Sequence, residues 1–152
     1  MNDPIAILKK DHREAEALFK RLKETKSPSA RRRSTLDKLE AALRLHMQIE
    51  EKVLYPAVTK LLGEEPVTEA DIEHTLGRDG LAKMRQLVDR PGFGAACEMT
   101  LAGIKHHVKE EETEMFPKFK KRVSREDLVA LGDEIEAMKK AATKQPRRMK
   151  AA

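Results

Sequence analysis

Apolar side chains recur every three or four positions along most of this chain, and this spacing places them on one face of an α-helix. Proline, glycine and serine interrupt the pattern at 26–30, 62–68, 89–94 and 122–127. These residue types end or cap helices. Four long helices with short connections favour an all-α, up-down-up-down four-helix bundle over residues 1–122. A short fifth helix of the same domain is predicted over 123–143, followed by a basic, flexible tail over 144–152.

Composition agrees with a helical class and with a chain that stays in water. Strong helix formers such as Ala, Leu, Glu and Lys dominate, β-branched residues are scarce, and 38% of the residues are charged. The single cysteine, Cys97, excludes an internal disulfide and fits a reducing compartment. No apolar run approaches the roughly 20 residues of a membrane span, and the first residues are too polar for a signal peptide. We therefore expect a soluble, cytoplasmic protein without a membrane partner.

The chain carries a formal charge of +5, and much of the excess lies at 31–33 and 139–150. A basic tail can contact the phosphates of a nucleic acid. Base stacking would need aromatic side chains among the charges, and these two stretches contain none. A solvated, frayed end is the more common role of such a tail, so no nucleic-acid partner is predicted.

Polar residues of the kinds that bind metals interrupt the apolar faces of the four long helices. The six inward positions are His12, His46, Glu50, His74, His107 and Glu111. Burying an unpaired carboxylate is costly, and two of them close together would force one to take up a proton. A bound cation would compensate for both. A single inward histidine is more often a hydrogen-bonded core residue, and a single glutamate could lie on the surface, but six such residues on four helices favour a metal site.

A short internal repeat carries four of these six residues. Residues 46–56 and 107–117 both read H-x-x-x-E-E-x-x-hydrophobic-aromatic-P. A histidine and a glutamate four positions apart lie on one helix face, within reach of one metal. This register selects His107 rather than its neighbour His106, which lies about 100° away around the helix. Counting residues from the turns places the histidines at similar heights, but leaves a mismatch of roughly 9 Å across the middle turn.

The donor set narrows the choice of metal. Four imidazoles and two carboxylates suit iron, with manganese or zinc as alternatives. A structural zinc site is disfavoured because the set contains no cysteine thiolate. Carboxylates that project from different helices can each bridge two ions, so a dinuclear centre is reasonable.

The motifs of this chain resemble those of the hemerythrin family, specifically the bacterial HHE cation-binding domains, over residues 3 to about 120. They comprise "LKKDHREAEALF", "DIEH" and the two repeats that end in "YP" and "FP". The resemblance implies a non-haem di-iron centre in a four-helix bundle. Such proteins bind, sense or store dioxygen, handle iron, or act on peroxide or nitric oxide. The resemblance implies that Glu50 and Glu111 bridge the two irons. It also implies that His12 and His46 hold one iron and that His74 and His107 hold the other.

One position departs from the family pattern. Oxygen-carrying hemerythrins offer two histidines one turn apart in the third helix, whereas the residue one turn after His74 is Arg78. An arginine cannot ligate a metal, so one iron would be a ligand short unless water, His106 or Glu73 completes it. A more open iron suits reaction with small oxidants. We therefore predict a protein that acts on or senses dioxygen or peroxide. The alternatives are a non-catalytic iron store or sensor, a nitric-oxide binder and a metal-free helical partner-binding protein.

Overall fold

Helices form almost all of the structure, a computed structural model that describes residues 3–144. The helices are α1 Pro4–Glu24, α2 Ala30–Ile49, α3 Tyr55–Leu62, α4 Glu65–Gln86, α5 Phe93–Glu110, α6 Phe116–Arg122 and α7 Arg125–Lys144. Two π-helical turns, Glu50–Leu54 and Glu111–Met115, join α2 to α3 and α5 to α6 without interruption. The result is four long helical rods, namely α1, α2 with α3, α4, and α5 with α6, and a further helix, α7. This confirms the predicted all-α bundle. The predicted tail at 144–152 lies outside the described residues, apart from Lys144 at the end of α7.

The rods begin and end where the sequence provides caps and turns. Side-chain oxygens of Asp3, Ser29 and Ser124 accept hydrogen bonds of 2.9–3.1 Å from N–H groups in the first turns of α1, α2 and α7, which stabilises helix starts. Gly63 and Gly92 take positive φ values of 91° and 98° between rods, a conformation that glycine adopts without steric cost. Within residues 3–144, no helix combines the length and the apolar character needed to cross a membrane.

Each π-helical turn begins at the glutamate of an H-x-x-x-E repeat and ends just before its aromatic-proline pair. Pro56 and Pro117 have no N–H for a helical hydrogen bond, and a proline ring crowds the carbonyl oxygen four residues earlier. The helix accommodates one extra residue at such a point, as π turns do. The extra residue rotates the helix that follows, and Tyr55 is consequently buried in the interior with 1% of its surface exposed.

Two apolar clusters fill the bundle, one on each side of a polar layer. The first apolar cluster lies toward the α1–α2 and α4–α5 connections and includes Phe19, Leu36, Leu39, Leu43, Met47, Leu81 and Phe93. The second apolar cluster lies toward the other end and includes Ile5, Leu8, Leu54, Tyr55, Phe116, Phe119 and Ile135. Helix α7 contributes Ile135 to the second cluster, so it packs on the bundle.

One arginine of the basic stretch at 31–33 has a structural role. Arg32 is buried and donates hydrogen bonds to the carbonyl oxygens of Thr25 and Val88, at 2.5 Å and 3.1 Å. Its guanidinium lies 4.5 Å from the centre of the Phe93 ring, a distance at which a cation is attracted to an aromatic face. These contacts tie the α1–α2 connection to the α4–α5 connection and the start of α5.

A close approach between α4 and α5 depends on Gly80. A β-carbon added to Gly80 would lie 2.4 Å from Thr100 Oγ1 and 3.0 Å from Thr100 Cβ. Thr100 is itself buried in α5, so it cannot swing into solvent to make room. The two helices that carry His74 and His107 therefore meet through a contact that only glycine permits at this position.

Gly80→Ala should destabilise the fold although alanine favours a helix. Overpacking a core costs about 1–3 kcal/mol, which outweighs the gain of up to about 1 kcal/mol for alanine over glycine in a helix. Urea unfolding followed by circular dichroism measures the change. Gly103→Ala is the matched control, because a β-carbon at Gly103 of α5 meets open space, and that variant should be slightly more stable than wild type. Equal stability of the two variants would contradict the close packing at Gly80.

Candidate metal centre

Six inward-facing polar side chains meet in the polar layer between the two apolar clusters. They are the residues selected from the sequence: His12 on α1, His46 on α2, Glu50 and Glu111 at the starts of the π turns, His74 on α4 and His107 on α5. Each exposes at most 7% of its surface, and Glu50 exposes 0% and Glu111 1%. The fold therefore buries all six residues together, while their role as metal ligands stays a prediction.

The six side chains divide into two groups that share Glu50. In each group the possible ligand atoms lie within 4.8 Å of one another; the groups are His12, His46, Glu50 and Glu111, and Glu50, His74 and His107. Glu50 Oε2 lies 3.2 Å from His46 Nε2, and Glu50 Oε1 lies 3.0 Å from His74 Nε2. The mismatch expected across the middle turn thus does not separate Glu50 from His74. The start of α4 at Glu65, two residues before Val67, accounts for about 3 Å of it.

Glu111 also faces both groups, and the histidines converge in pairs. Glu111 Oε1 lies 3.3 Å from Nε2 of both His12 and His107. The Nε2 atoms of His12 and His46 are 3.2 Å apart, and those of His74 and His107 are 3.1 Å apart. Two nitrogens bound at about 2.1 Å to one ion, at right angles, would be about 3 Å apart. The spacing of both pairs therefore fits donors that share a metal ion.

Two buried carboxylate oxygens have no hydrogen-bond partner within the described residues. They are Glu50 Oε2 and Glu111 Oε1. Buried polar atoms nearly always have a partner, and a buried charge without one is strongly destabilising. Both oxygens point toward histidine nitrogens rather than toward solvent, so a cation between them would meet donors on every side.

Tyr55 adds a hydroxyl that the sequence pattern did not mark as functional. Its Oη donates to Glu111 Oε2 at 2.7 Å and lies 3.2 Å from His74 Nε2. In the second repeat Phe116 takes the matching position, and its ring stacks on His12 with centroids 6.2 Å apart and planes 5° from parallel. The two halves of the polar layer therefore differ by one hydroxyl group. The cue in the sequence was the "YP" against "FP" ending of the two repeats.

A ring of four carboxylates holds the outer nitrogens of the histidines. The Nδ1–carboxylate distances are 2.6 Å for His12–Glu112, 3.0 Å for His46–Asp11, 2.7 Å for His74–Glu51 and 2.7 Å for His107–Glu73. Each carboxylate comes from the preceding rod, so the contacts run from α1 to α2, to α4, to α5 and back to α1. When Nδ1–H donates to a carboxylate, Nε2 is left to bind a metal. Each of these acids stands next to a predicted ligand in the sequence, which is the signal that could have found them.

Arg78 does not face the six inward residues. Its Nη1 and Nη2 donate to the two carboxylate oxygens of Glu51, each at 2.8 Å. Such a two-pronged contact fixes a carboxylate in both position and orientation. Arg78 therefore supports the carboxylate that holds His74, and its place in the third helix belongs to the surround of the site.

His106 and Glu73 do not fill the position that a second histidine of the third helix would occupy. His106 is 61% exposed, and its Nε2 lies 3.3 Å from Glu73 Oε2 on the outside of the bundle. The other oxygen of Glu73 is engaged by Nδ1 of His107. The side-chain group that the fold does bring to this part of the layer is the Tyr55 hydroxyl.

Residues 3–119 match the family model described as the Hemerythrin HHE cation binding domain. The chain belongs to this family. A curated relative, an uncharacterized hemerythrin-like protein of Schizosaccharomyces pombe, is 28% identical over 86% of this chain and 66% of its own length. The chain thus spans just under two thirds of that relative. An uncharacterized protein of Mycobacterium tuberculosis is 26% identical over 86% of this chain and 81% of its own length.

A solved structure of a hemerythrin HHE cation binding domain-containing protein from Mycobacterium kansasii has the same fold. It superimposes on this HHE domain with a TM-score of 0.81, and the match covers 94% of this chain and 88% of that one. The two sequences are 24% identical. This likeness extends beyond residue 119, so it includes part of helix α7.

Protonated histidines balance the buried carboxylates of the metal-free HHE domain. Burial lowers the pKa of His46, but the charge of Glu50 and hydrogen bonds outweigh it and raise the pKa to about 10. Burial also lowers the pKa of His107, but the charge of Glu111 and hydrogen bonds raise it to about 12. Burial raises the pKa of Glu50, whereas the neighbouring histidines hold that pKa well below its ordinary value. A bound metal would replace these protons, because ligand nitrogens bind metals in the unprotonated state.

The metal-free protein should lose stability as the pH rises above about 6.5. A histidine whose pKa is raised by folding contributes stability that is fully present below its unfolded pKa and is lost as the pH rises through its folded pKa. For His46 this window runs from about 6.5 to about 10. Thermal unfolding of chelator-treated protein, followed by circular dichroism from pH 6 to pH 10, measures the loss.

Two variants test the cause of this pH dependence. Glu50→Gln should make it shallower, because the substitution removes the charge that raises the pKa of His46, while His107, whose pKa is raised chiefly by Glu111, keeps its share of the slope. Glu114→Gln is the matched control, since Glu114 is exposed and paired with Lys118 at 3.1 Å, and it should keep the wild-type slope. The same slope in Glu50→Gln and in wild type would contradict the assigned cause.

Proposed function

We propose that this HHE domain binds two iron ions in the polar layer and acts on or senses dioxygen or peroxide, in a role of the oxidative-stress type. The observation that carries the proposal is the pair of buried carboxylate oxygens, on Glu50 and Glu111, without a hydrogen-bond partner within residues 3–144. Both carboxylates face histidine nitrogens of both groups. Two cations placed between them would neutralise charges that are otherwise costly to bury.

The proposed ligand set suits iron better than the common alternatives. Imidazole and carboxylate donors together favour iron, and the set offers no thiolate for a structural zinc. A bound iron pair would supply redox chemistry toward small oxidants. The protein's own part is to orient the rings, since each Nδ1 contact to a carboxylate turns Nε2 inward. In this proposal His12 and His46 would hold one ion, His74 and His107 would hold the other, and Glu50 and Glu111 would be shared by both.

A cavity of about 180 Å³ adjoins the histidine side of the polar layer. Besides the four histidines, its walls include Leu43, Met47, Leu81, Ile104 and Val108. Apolar walls around a few polar groups are typical of sites for small molecules. The size and the apolar lining favour a small neutral molecule such as dioxygen, hydrogen peroxide or nitric oxide.

Tyr55 supports a reactive role rather than passive storage. Burial and the charges of Glu50 and Glu111 raise the pKa of Tyr55 well above its ordinary value, so Oη keeps its proton. Oη donates that proton to Glu111 Oε2 in a hydrogen bond of 2.7 Å. Although Tyr55 belongs to the second apolar cluster, its Oη reaches into the layer and lies 3.2 Å from His74 Nε2 and 3.4 Å from His107 Nε2. A buried hydroxyl in this position can supply a proton while an oxidant is reduced.

Protein expressed in iron-rich medium should contain about two iron ions per chain and should show the near-ultraviolet and visible charge-transfer bands of an oxo-bridged ferric pair. His107→Ala should lower the iron content, because it removes a proposed ligand. His106→Ala is the matched control: the adjacent histidine is exposed, and its removal should leave the iron in place. Elemental analysis with an absorption spectrum makes the comparison. Iron lost from His106→Ala alone would mean that the wrong histidine was assigned, and wild type without iron would contradict the proposal.

Tyr55→Phe should retain iron but consume hydrogen peroxide about a hundredfold more slowly, because it removes a proton donor and keeps the ring that packs the core. Peroxide disappearance at equal iron content is the measurement. Glu111→Ala sets the baseline for a disrupted site. If wild type consumes peroxide no faster than Glu111→Ala, the catalytic role is contradicted, and iron storage or sensing becomes the better proposal. Equal rates for wild type and Tyr55→Phe would contradict the proton-donor role of Tyr55 but not the proposed iron site.

A further inference from the structure

Lys139 of helix α7 reaches the edge of the polar layer. Its Nζ donates to Asp11 Oδ1 at 2.5 Å, and Asp11 Oδ2 lies 3.0 Å from His46 Nδ1. The Asp11 side chain is 12% exposed and that of Lys139 is 29% exposed, so water only partly screens this link. Burial raises the pKa of Asp11, but hydrogen bonds from His46 and Lys139 outweigh it and hold that pKa below its ordinary value. Asp11 therefore stays charged between two donors.

The other three carboxylates of the ring each contact a basic side chain from the same helix as the histidine that they orient. These contacts are Arg13–Glu112 at 2.7 Å beside His12, Arg78–Glu51 at 2.8 Å one turn after His74, and His106–Glu73 at 3.3 Å beside His107. Helix α2 breaks the rule, since Leu45 and Met47 flank His46 and the residue one turn later is Glu50. The cation for the fourth carboxylate comes from α7 instead.

The packing of α7 places Lys139 at this point. Ile135, one turn earlier, is fully buried in the second apolar cluster, and Leu131 and Met138 pack against the same cluster. Helix α7 contacts α1, α2 and the first π turn, which are the elements that carry Asp11, His46 and Glu50. Because the match to the family model ends at residue 119, α7 brings a residue to the layer from outside the matched region.

We propose that Lys139 is a positioning residue for His46: it holds Asp11, and Asp11 fixes the imidazole whose Nε2 faces the metal site. The inference rests on the proposed function, since ring orientation matters most if His46 binds iron. Loss of such an outer partner typically weakens metal binding about 10- to 100-fold. Helix α7 is then part of the metal centre as well as a cover for the second apolar cluster.

Competition with a strong chelator, followed by absorbance, measures the iron affinity that tests this role. Lys139→Met keeps most of the side chain's length but removes its charge, and should weaken iron binding at least about tenfold. Lys139→Arg retains a cation and should restore most of the affinity. Lys140→Met is the matched control, because Lys140 is the exposed next residue of α7, and it should bind iron as wild type does.

A double-mutant cycle with Asp11→Asn separates positioning from a general loss of stability. If Lys139 acts through Asp11, Lys139→Met should add little to the effect of Asp11→Asn. Metal-free Lys139→Met should unfold near the wild-type temperature. Full additivity in the cycle, or wild-type iron affinity in Lys139→Met, would overturn the inference alone. Wild type that binds no iron would overturn the proposed function, and this inference with it.

Discussion

Two carboxylates buried at the centre of a helical bundle set the conditions for the rest of this structure. Glu50 and Glu111 are removed from water, and each offers an oxygen that has no hydrogen-bond partner within residues 3–144. Four imidazoles surround them, four further carboxylates hold those imidazoles, and basic side chains at the edge of the bundle contact the outer carboxylates. Carboxylates and nitrogen-bearing side chains therefore alternate from the centre of the layer to its surface.

Periodicity along the chain predicted the rods and the inward register of six polar residues, because both follow from local helical geometry. Their role as ligands is a separate matter and stays a prediction. The π turns were not predicted, and with them the inward rotation of Tyr55, because a regular helical spacing was carried past Glu50, whereas the most deeply buried residues there are Leu54, Tyr55 and Val58. The contact of Lys139 with Asp11 joins distant parts of the chain, which helical spacing cannot reveal. The acids beside the predicted ligands can be seen in the sequence. Their partners could not be predicted, because the histidine that each acid contacts lies on another rod.

Arg78 shows why a departure from a family pattern has to be placed in the fold before it is interpreted. In the sequence it stands where oxygen-carrying relatives offer a histidine, and it reads as a lost ligand. In the fold it holds Glu51 with both guanidinium nitrogens, and Tyr55 approaches the same part of the layer from another helix. The change of chemistry at one position is therefore accompanied by a contact that keeps His74 in place.

The ring of carboxylate–histidine contacts also determines how the rods are aligned along the bundle axis. Apolar stripes tolerate sliding, because one aliphatic contact is much like the next. Each rod in the ring gives a carboxylate to one neighbour and takes one from the other, so a shift by one turn, about 5.4 Å, would break both contacts and leave charges in an apolar interior. Buried polar groups select a single helix register in this way. Whatever the polar layer contributes to net stability, it makes one alignment of the four rods far more favourable than its competitors.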